Sequence, residues 1–252
     1  MMRYILVHGA WQGSWCWSKV IPFLEQAGHT VLAPDLPGHG QDQTELAFVT
    51  LDAYVHHVLS LVEHSPEPVM LVGHSLGGVV ISQVAEDQPD NVRALVYVSA
   101  LLPRDGESAL QIWASDQHSR IEQCLNIDNV AGVVQIYASQ AASIFYHDCS
   151  YADVLLAQEH LTPQALAPLT TPVRLTDRFA HVPRATILCR YDQAISRDLQ
   201  ARMYTQTPCE IALAPLASGH APFFSVPDQL AARLLEAGHA AKSLRRRKYI
   251  NG

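Results

Sequence analysis

One stretch of the sequence, VMLVGHSLGGVV at 69–80, constrains the fold most, because it has the pattern of a strand, a tight turn and a helix. The turn carries the motif G-x-S-x-G, in which Ser75 lies between Gly73 and Gly77. A serine on so sharp a bend has a strained backbone, and its neighbours two positions away must be small. The alternative is an ordinary strand-to-helix turn. The position between an apolar strand and a helix N-terminus favours a nucleophile.

Strand-like and helix-like segments alternate on both sides of this turn. The predicted strands are the apolar runs at 3–7, 29–35, 68–72, 92–100, 184–192 and 209–215. Continuous apolar runs are typical of parallel strands that are covered on both faces. The pattern therefore predicts a doubly wound α/β fold with a mostly parallel sheet.

The alternation is interrupted between residues 103 and 182. That segment contains helix-like pieces such as YADVLLAQEH and PQALAPL, and no convincing strand. We therefore predict one α/β core, formed by residues 1–102 and 183–252, with residues 103–182 as a helical insertion between two of its strands.

Composition excludes several classes of function. Hydrophobic residues make up 48% and charged residues 16% of the chain, as in ordinary globular proteins. A formal net charge of -7 argues against nucleic acid as a partner. No apolar run reaches the roughly 18 residues of a membrane span, and the basic run KSLRRRKY at 242–249 lacks the apolar partners of a membrane-binding helix. The five cysteines are scattered and odd in number, which predicts free thiols and a cytoplasmic location.

A nucleophilic serine needs a base, which in this type of fold follows the acid along the chain. His220 lies in PLASGHAPFF, after the last predicted strand and among small residues, and we predict that it is the base. The other histidines lie on predicted helices, at strand ends or in the insertion, and none has the spacing of paired metal ligands. We therefore expect no metal site.

Two aspartates compete for the role of the acid that orients the base. Asp192 follows ATILCRY at the carboxyl end of a predicted strand, the edge at which such sheets place their sites. Asp105 follows the strand that ends near residue 100, and some serine hydrolases take their acid from there. Asp198 lies one turn into a predicted helix and is expected to be a surface charge. We favour Asp192, whose carboxylate would stabilise the imidazolium formed during attack.

Two backbone N–H groups must face the oxyanion that forms on the substrate. One is that of Leu76, directly after Ser75. The loop VHGAWQG, at 7–13, follows the first predicted strand and supplies the second candidate, the N–H of Ala10 beside Gly9. The alternative for this loop is a simple glycine-rich turn.

Five stretches together resemble the α/β-hydrolase group that holds plant salicylate-type methylesterases and plant hydroxynitrile lyases. They are ILVHGAWQGSWCWSKVIPFLEQAGHTVLAPDL, VGHSLGG, DCSYADVLLAQEHL, CRYDQAI and SGHAPFFSVPDQL. The resemblance is weakest between Pro103 and Phe145. It implies an α/β-hydrolase fold, a cap at 103–182 over an apolar pocket, catalysis without a cofactor, and often a homodimer. It also implies the same triad and oxyanion donors.

The two chemistries of this group differ at two positions. The lyases carry a Lys directly after the catalytic His and a Thr in the first loop, where this chain has Ala221 and Gly9. Without a cation for the leaving cyanide, we predict a serine hydrolase of small carboxylic esters (EC 3.1.1) with an apolar or aromatic acyl group, methyl esters included. The alternatives are a hydroxynitrile lyase or a non-catalytic receptor for a small ligand on the same fold.

Aromatic and small residues near these loops are the candidates for the substrate pocket. They are Gly9, Trp11, Trp113, Phe145, Tyr146, Ala221, Phe223 and Phe224. Each aromatic residue could equally belong to the hydrophobic core.

Overall fold

Eight strands form two separate sheets in the computed structural model of the chain, which describes residues 1–250 and their side chains as far as Leu244. The strands are β1 (Arg3–Val7), β2 (Thr30–Leu32), β3 (Val69–His74), β4 (Val92–Val98), β5 (Leu125–Asp128), β6 (Val133–Ile136), β7 (Gln164–Ala165) and β8 (Arg184–Ile187). The main sheet has the order β2-β1-β3-β4-β8, and all of its pairs are parallel. The predicted parallel α/β sheet is therefore present.

Helices cover the sheet and fill the insertion. They are α1 (Ile21–Gln26), α2 (Leu51–Glu63), α3 (Gly77–Asp87), α4 (Ala109–Ala114), α5 (Ala138–Phe145), α6 (Tyr151–His160), α7 (Leu166–Thr170), α8 (Asp177–Ala180), α9 (Arg197–Gln206), α10 (Pro222–Ser225) and α11 (Pro227–Ile250). Helices α2 and α3 pack together, and so do α1 and α11. The N-terminus of α2 is capped by Thr50, whose hydroxyl accepts a hydrogen bond from the Ala53 N–H at 3.0 Å. None of the described helices is long and apolar enough to cross a membrane.

The apolar runs of the sequence become the buried centre of the sheet. All six residues of β3 are buried, and so are six of the seven residues of β4. The predicted strand at 209–215 is reduced to two isolated parallel bridges, in which Ile211 pairs with Ala185 and Leu216 pairs with Cys189. This segment still lies beside β8, so it leads the chain to the same edge of the sheet at which β3 and β4 end.

The insertion at 103–182, which we call the cap, contains a sheet that the sequence analysis did not predict. Strands β5, β6 and β7 pair antiparallel, and the connection from β5 to β6 passes through Gly132 at a φ of 68°. The first two strands have four residues each and the third has two. Such short strands leave no clear alternation in the sequence, so the pattern at 103–182 indicates helices only.

Candidate active site

The turn around Ser75 has the strained geometry that the motif predicts. Ser75 has a φ of 51°, in the left-handed region, and is 4% exposed between β3 and α3. A Cβ atom on Gly73 would lie 2.6 Å from the Gly77 carbonyl carbon and oxygen, and one on Gly77 would lie 2.6 Å from the Val7 carbonyl oxygen. Side chains are therefore excluded from both positions by backbone atoms that cannot move aside.

The candidate oxyanion donors lie on two adjacent loops. Ala10 follows β1 and Leu76 precedes α3, and β1 and β3 are neighbours in the sheet. The first loop passes directly against the serine, since a Cβ atom on Gly9 would lie 2.8 Å from the Cβ of Ser75. Within residues 1–250, neither the Ala10 N–H nor the Leu76 N–H donates a hydrogen bond. Both N–H groups therefore lack a described partner within the protein, and Ala10 lines the cavity beside Ser75.

His220 and Asp192 form a buried hydrogen-bonded pair. The Nδ1 of His220 lies 2.8 Å from Oδ2 of Asp192, and their side chains are 2% and 0% exposed. Because a carboxylate only accepts, Nδ1 carries the proton and Nε2 is left as the acceptor. The other oxygen of Asp192 accepts the N–H groups of Ala194 and Ile195 at 2.7 and 2.9 Å. The carboxylate is therefore held in one orientation.

Ser99 is a member of this group that the sequence analysis missed. It follows β4 at a φ of 43°, and its hydroxyl donates to the same Asp192 oxygen that accepts from His220. Its place beside Asp192 depends on the pairing of β4 with β8, which the sequence alone did not show.

The competing aspartates lie elsewhere. Asp105 accepts a hydrogen bond from the Leu175 N–H at 2.9 Å and has no described bond to His220. Asp198 is 77% exposed and pairs with His118 at 3.1 Å.

Ser75 and His220 line one small cavity, although in this structure they do not hydrogen-bond to each other. Bonds of this kind are often long before substrate binds. The complete lining is Ala10, Trp11, Gln12, His74, Ser75, Ile136, Phe145, Tyr146, Leu161 and His220.

Of the predicted pocket residues, only Trp11, Phe145 and Tyr146 belong to this lining. Trp113 instead stacks on Trp11, and Phe223 packs against Trp17. Gly9 and Ala221 are buried beside the cavity without lining it. Ile136 and Leu161, which the cap brings over Ser75, are lining residues that the sequence alone does not indicate. Among the described residues, no group of three His, Cys, Asp or Glu side chains is placed to hold a metal ion.

A second buried histidine supports the loop of His220. The Nε2 of His74 donates to the backbone oxygen of His220 at 2.8 Å, and its Nδ1 lies 3.0 Å from Oε1 of Gln12. Burial holds the pKa of His74 well below its usual value, so the ring is neutral. Gln12 also bonds to the Tyr146 hydroxyl at 3.2 Å, which extends the contact into the cap.

The cap holds the loops of the acid and the base by backbone hydrogen bonds. Asp148 accepts the N–H of Gly219, the residue before His220, at 2.6 Å. The Arg120 N–H donates to the carbonyl of Gln193, the residue after Asp192, at 2.8 Å. The cap therefore does more than cover the cavity, because it fixes the loops that carry the polar side chains.

The fold and this geometry define an α/β hydrolase, and residues 4–233 match the alpha/beta hydrolase family, to which the chain belongs. The pyrethroid hydrolase of Sphingobium wenxiniae is 28% identical over 96% of this chain and 89% of its own. Methylesterase 7 of Arabidopsis thaliana is 31% identical over 93% and 95%.

Solved structures show the same likeness. A pyrethroid hydrolase from Sphingobium faniae JZ-2 has a TM-score of 0.84 and 27% identity, covering 93% of this chain and 96% of that one. A methylesterase from Arabidopsis has a TM-score of 0.82 and 25% identity, covering 95% and 99%. The predicted α/β-hydrolase fold and the resemblance to the methylesterases are confirmed. The protein is an esterase-type α/β hydrolase of the EC 3.1.1 type.

Proposed function

We propose that this esterase hydrolyses small, uncharged carboxylic esters by a Ser75–His220–Asp192 triad, through an acyl-enzyme. The observation that carries the proposal is the buried bond between His220 Nδ1 and Asp192, at 2.8 Å, in a histidine that lines the cavity of a strained serine. That bond leaves Nε2 as a base on the side of the ring away from the carboxylate.

The reaction has two halves. Ser75 Oγ attacks the ester carbonyl and gives its proton to His220 Nε2, while the carbonyl oxygen becomes an anion bound by the N–H groups of Ala10 and Leu76. His220 then protonates the leaving alkoxide, and the alcohol departs. A water molecule attacks the acyl-enzyme in the same way, so that the acid is released and Ser75 regains its proton. Asp192 stabilises the imidazolium in both halves.

The cavity favours an uncharged acyl group. Among the residues that line it, none is Asp, Glu, Lys or Arg, and the cap contributes Ile136, Phe145 and Leu161. A charged substrate would lose hydration there without gaining a partner. The names of the similar proteins, methylesterase and pyrethroid hydrolase, make methyl esters and then pyrethroid esters the first substrates to test.

Two positions favour hydrolysis over cyanohydrin cleavage. Ala221 follows His220 without an ammonium group, and Gly9 has no hydroxyl. A threonine at position 9 would also need space, because a Cβ atom there would lie 2.8 Å from Ser75. The protein should therefore release ester products readily and little cyanide from mandelonitrile.

Turnover of p-nitrophenyl acetate and butyrate tests the function. We expect many cycles from the native protein, and a loss of several orders of magnitude in Ser75→Ala because the nucleophile is removed. Ser60→Ala, an exposed serine on α2, is the matched control. His220→Ala should be similarly damaging, and the double variant should be little worse than either alone, because the two residues act as a unit.

Two results would contradict the proposal. A single stoichiometric burst in the native protein would indicate a receptor instead of an enzyme. Full activity in Ser75→Ala would remove the nucleophile assignment.

A further inference from the structure

Trp11 has an unusual backbone for a large residue. Its φ is 63°, in the left-handed region, and it is 2% exposed. Bulky residues rarely adopt this conformation, which is strained and persists only where surrounding contacts impose it. Trp11 directly follows Ala10, the candidate oxyanion donor of the first loop. The contacts that impose the strain therefore act next to the reacting atoms.

Trp11 makes two hydrogen bonds with the cap, and in both of them the cap contributes a backbone group. The indole Nε1 donates to the carbonyl of Val134, in β6, at 2.8 Å. The Trp11 carbonyl accepts the N–H of Thr162, between α6 and β7, at 2.9 Å. The loop after β1 is thus tied to the cap by the side chain and the main chain of one residue.

The indole ring also packs against the cap. It stacks on Trp113 of α4 with ring centroids 6.0 Å apart and an angle of 12° between the planes. Phe145 of α5 lies against it at 5.9 Å and 50°. The four partners come from separate elements of the cap, so a displacement of the cap would pull on Trp11 as a whole.

We propose that Trp11 is a positioning residue, through which the cap fixes the Ala10 N–H in the orientation that binds the oxyanion. The inference rests on the proposed function, in which Ala10 supplies one of the two donors. An oxyanion donor is useful only within about 2.7–3.1 Å of the charged oxygen, so a small rotation of the loop weakens it. The cap is then part of the apparatus that stabilises the transition state, in addition to covering the pocket.

A matched pair of variants isolates the indole hydrogen bond. Trp11→Phe keeps an aromatic ring in the stack and removes the bond to Val134. Trp113→Phe makes the same chemical change in the neighbouring ring, whose buried Nε1 has no described hydrogen-bond partner. We expect Trp11→Phe to lower kcat about tenfold more than Trp113→Phe, with KM changed similarly in the two, because the lost interaction acts in the transition state.

A transition-state analogue separates positioning from simple packing. Ser75 Oγ adds to the carbonyl of a short alkyl trifluoromethyl ketone, gives its proton to His220, and forms a stable adduct that carries an oxyanion. The methyl ketone of the same length binds without a stable adduct. In Trp11→Phe, the inhibition constant of the fluorinated ketone should rise by the factor by which kcat/KM falls, and that of the methyl ketone should stay within about twofold.

A fluorescence or calorimetric unfolding measurement accompanies each variant. If Trp11→Phe does not fold, β-(3-benzothienyl)alanine at position 11 replaces the N–H with sulfur in a ring of the same shape, and the same ratios are measured. Equal kcat values for the two matched variants, or equal loss of affinity for both ketones, would overturn the inference. Activity retained in Ser75→Ala would instead overturn the proposed function.

Discussion

The serine turn and the cap place their residues in the site by different means. Around Ser75, five consecutive residues fix the geometry, since Gly73 and Gly77 allow backbone contacts that no side chain would permit. The cap acts through single hydrogen bonds from distant segments, such as those of Asp148 and Arg120 to the loops of the base and the acid. A change in the core should therefore remove the chemistry, and a change in the cap should adjust it.

The largest test of this difference is at the acid. Asp192→Asn should lower kcat by about 10³- to 10⁴-fold, because an amide cannot stabilise the imidazolium and favours the wrong tautomer of His220. Asp105→Asn, at the entrance to the cap, should stay within about threefold. Initial rates on p-nitrophenyl butyrate measure both. A larger loss in Asp105→Asn would indicate that Asp105, which follows β4, is the acid that orients His220.

Two buried histidines should make the stability of the protein sensitive to acid. His8 belongs to the core, and His39 lies between the core and the cap. Burial lowers the pKa of His8 to about 4 and that of His39 to about 3. The ring of His39 bonds to Tyr54 of α2 and to Thr162 of the cap, at 2.7 and 2.9 Å. Below the unfolded pKa of about 6.5, the unfolded chain binds protons that the folded chain does not.

The free energy of unfolding should therefore fall as the pH is lowered from about 6.5 to about 4, by roughly 3 kcal/mol for His8 alone. Above pH 7 both rings are neutral in either state and contribute no slope. Urea unfolding between pH 4.5 and pH 8 measures this, and His39→Gln should reduce the slope. A free energy of unfolding that does not change over that pH range would contradict the conclusion that both rings are buried and neutral.

Ser99→Ala should have an intermediate effect. It removes one hydrogen bond to the Asp192 carboxylate, which is worth about 1.5 kcal/mol for a charged acceptor, so kcat should fall about tenfold. Ser218→Ala is a suitable comparison, because that serine is also fully buried but bonds to Ser225 at 2.7 Å. Equal kcat values in the two variants would show that Ser99 does not orient the acid.

The smallest effect is expected at the cap. Asp148→Ala frees the Gly219 N–H, and kcat should fall about two- to fivefold. The lost hydrogen bond is worth only about 0.5–1 kcal/mol, because Asp148, unlike the buried Asp192, is half-buried and water competes for its carboxylate. Asp128→Ala, on the exposed hairpin of the same cap, should have no measurable effect on kcat. A fall in kcat of three orders of magnitude in Asp148→Ala would show that the cap is as essential to the chemistry as the core.

The sequence was informative where the structure is local. Short stretches of sequence were enough to predict the motif around Ser75, the strand end at Asp192 and the loop of His220. The structure brings all three to one edge of the sheet. Ser99 could not be predicted, because its partner Asp192 lies 93 positions away and their contact depends on the strand order. The same holds for β7, whose two residues pair with a strand 30 positions earlier.

Aromatic residues were the least predictable part. Composition shows that Trp113 and Phe223 are apolar, but it gives no direction for their rings, and both point into packed clusters instead of the cavity.

The ties between the cap and three separate loops limit how this enzyme can evolve or be engineered. A cap that served only as a cover could be exchanged between relatives as a module, with the pocket changed and the rate retained. Here a transplanted cap would have to bring partners for Gly219, Gln193 and Trp11, or those loops would have to travel with it. Substrate range and turnover are therefore inherited together, and libraries that randomise the cap should vary the loop residues in the same step.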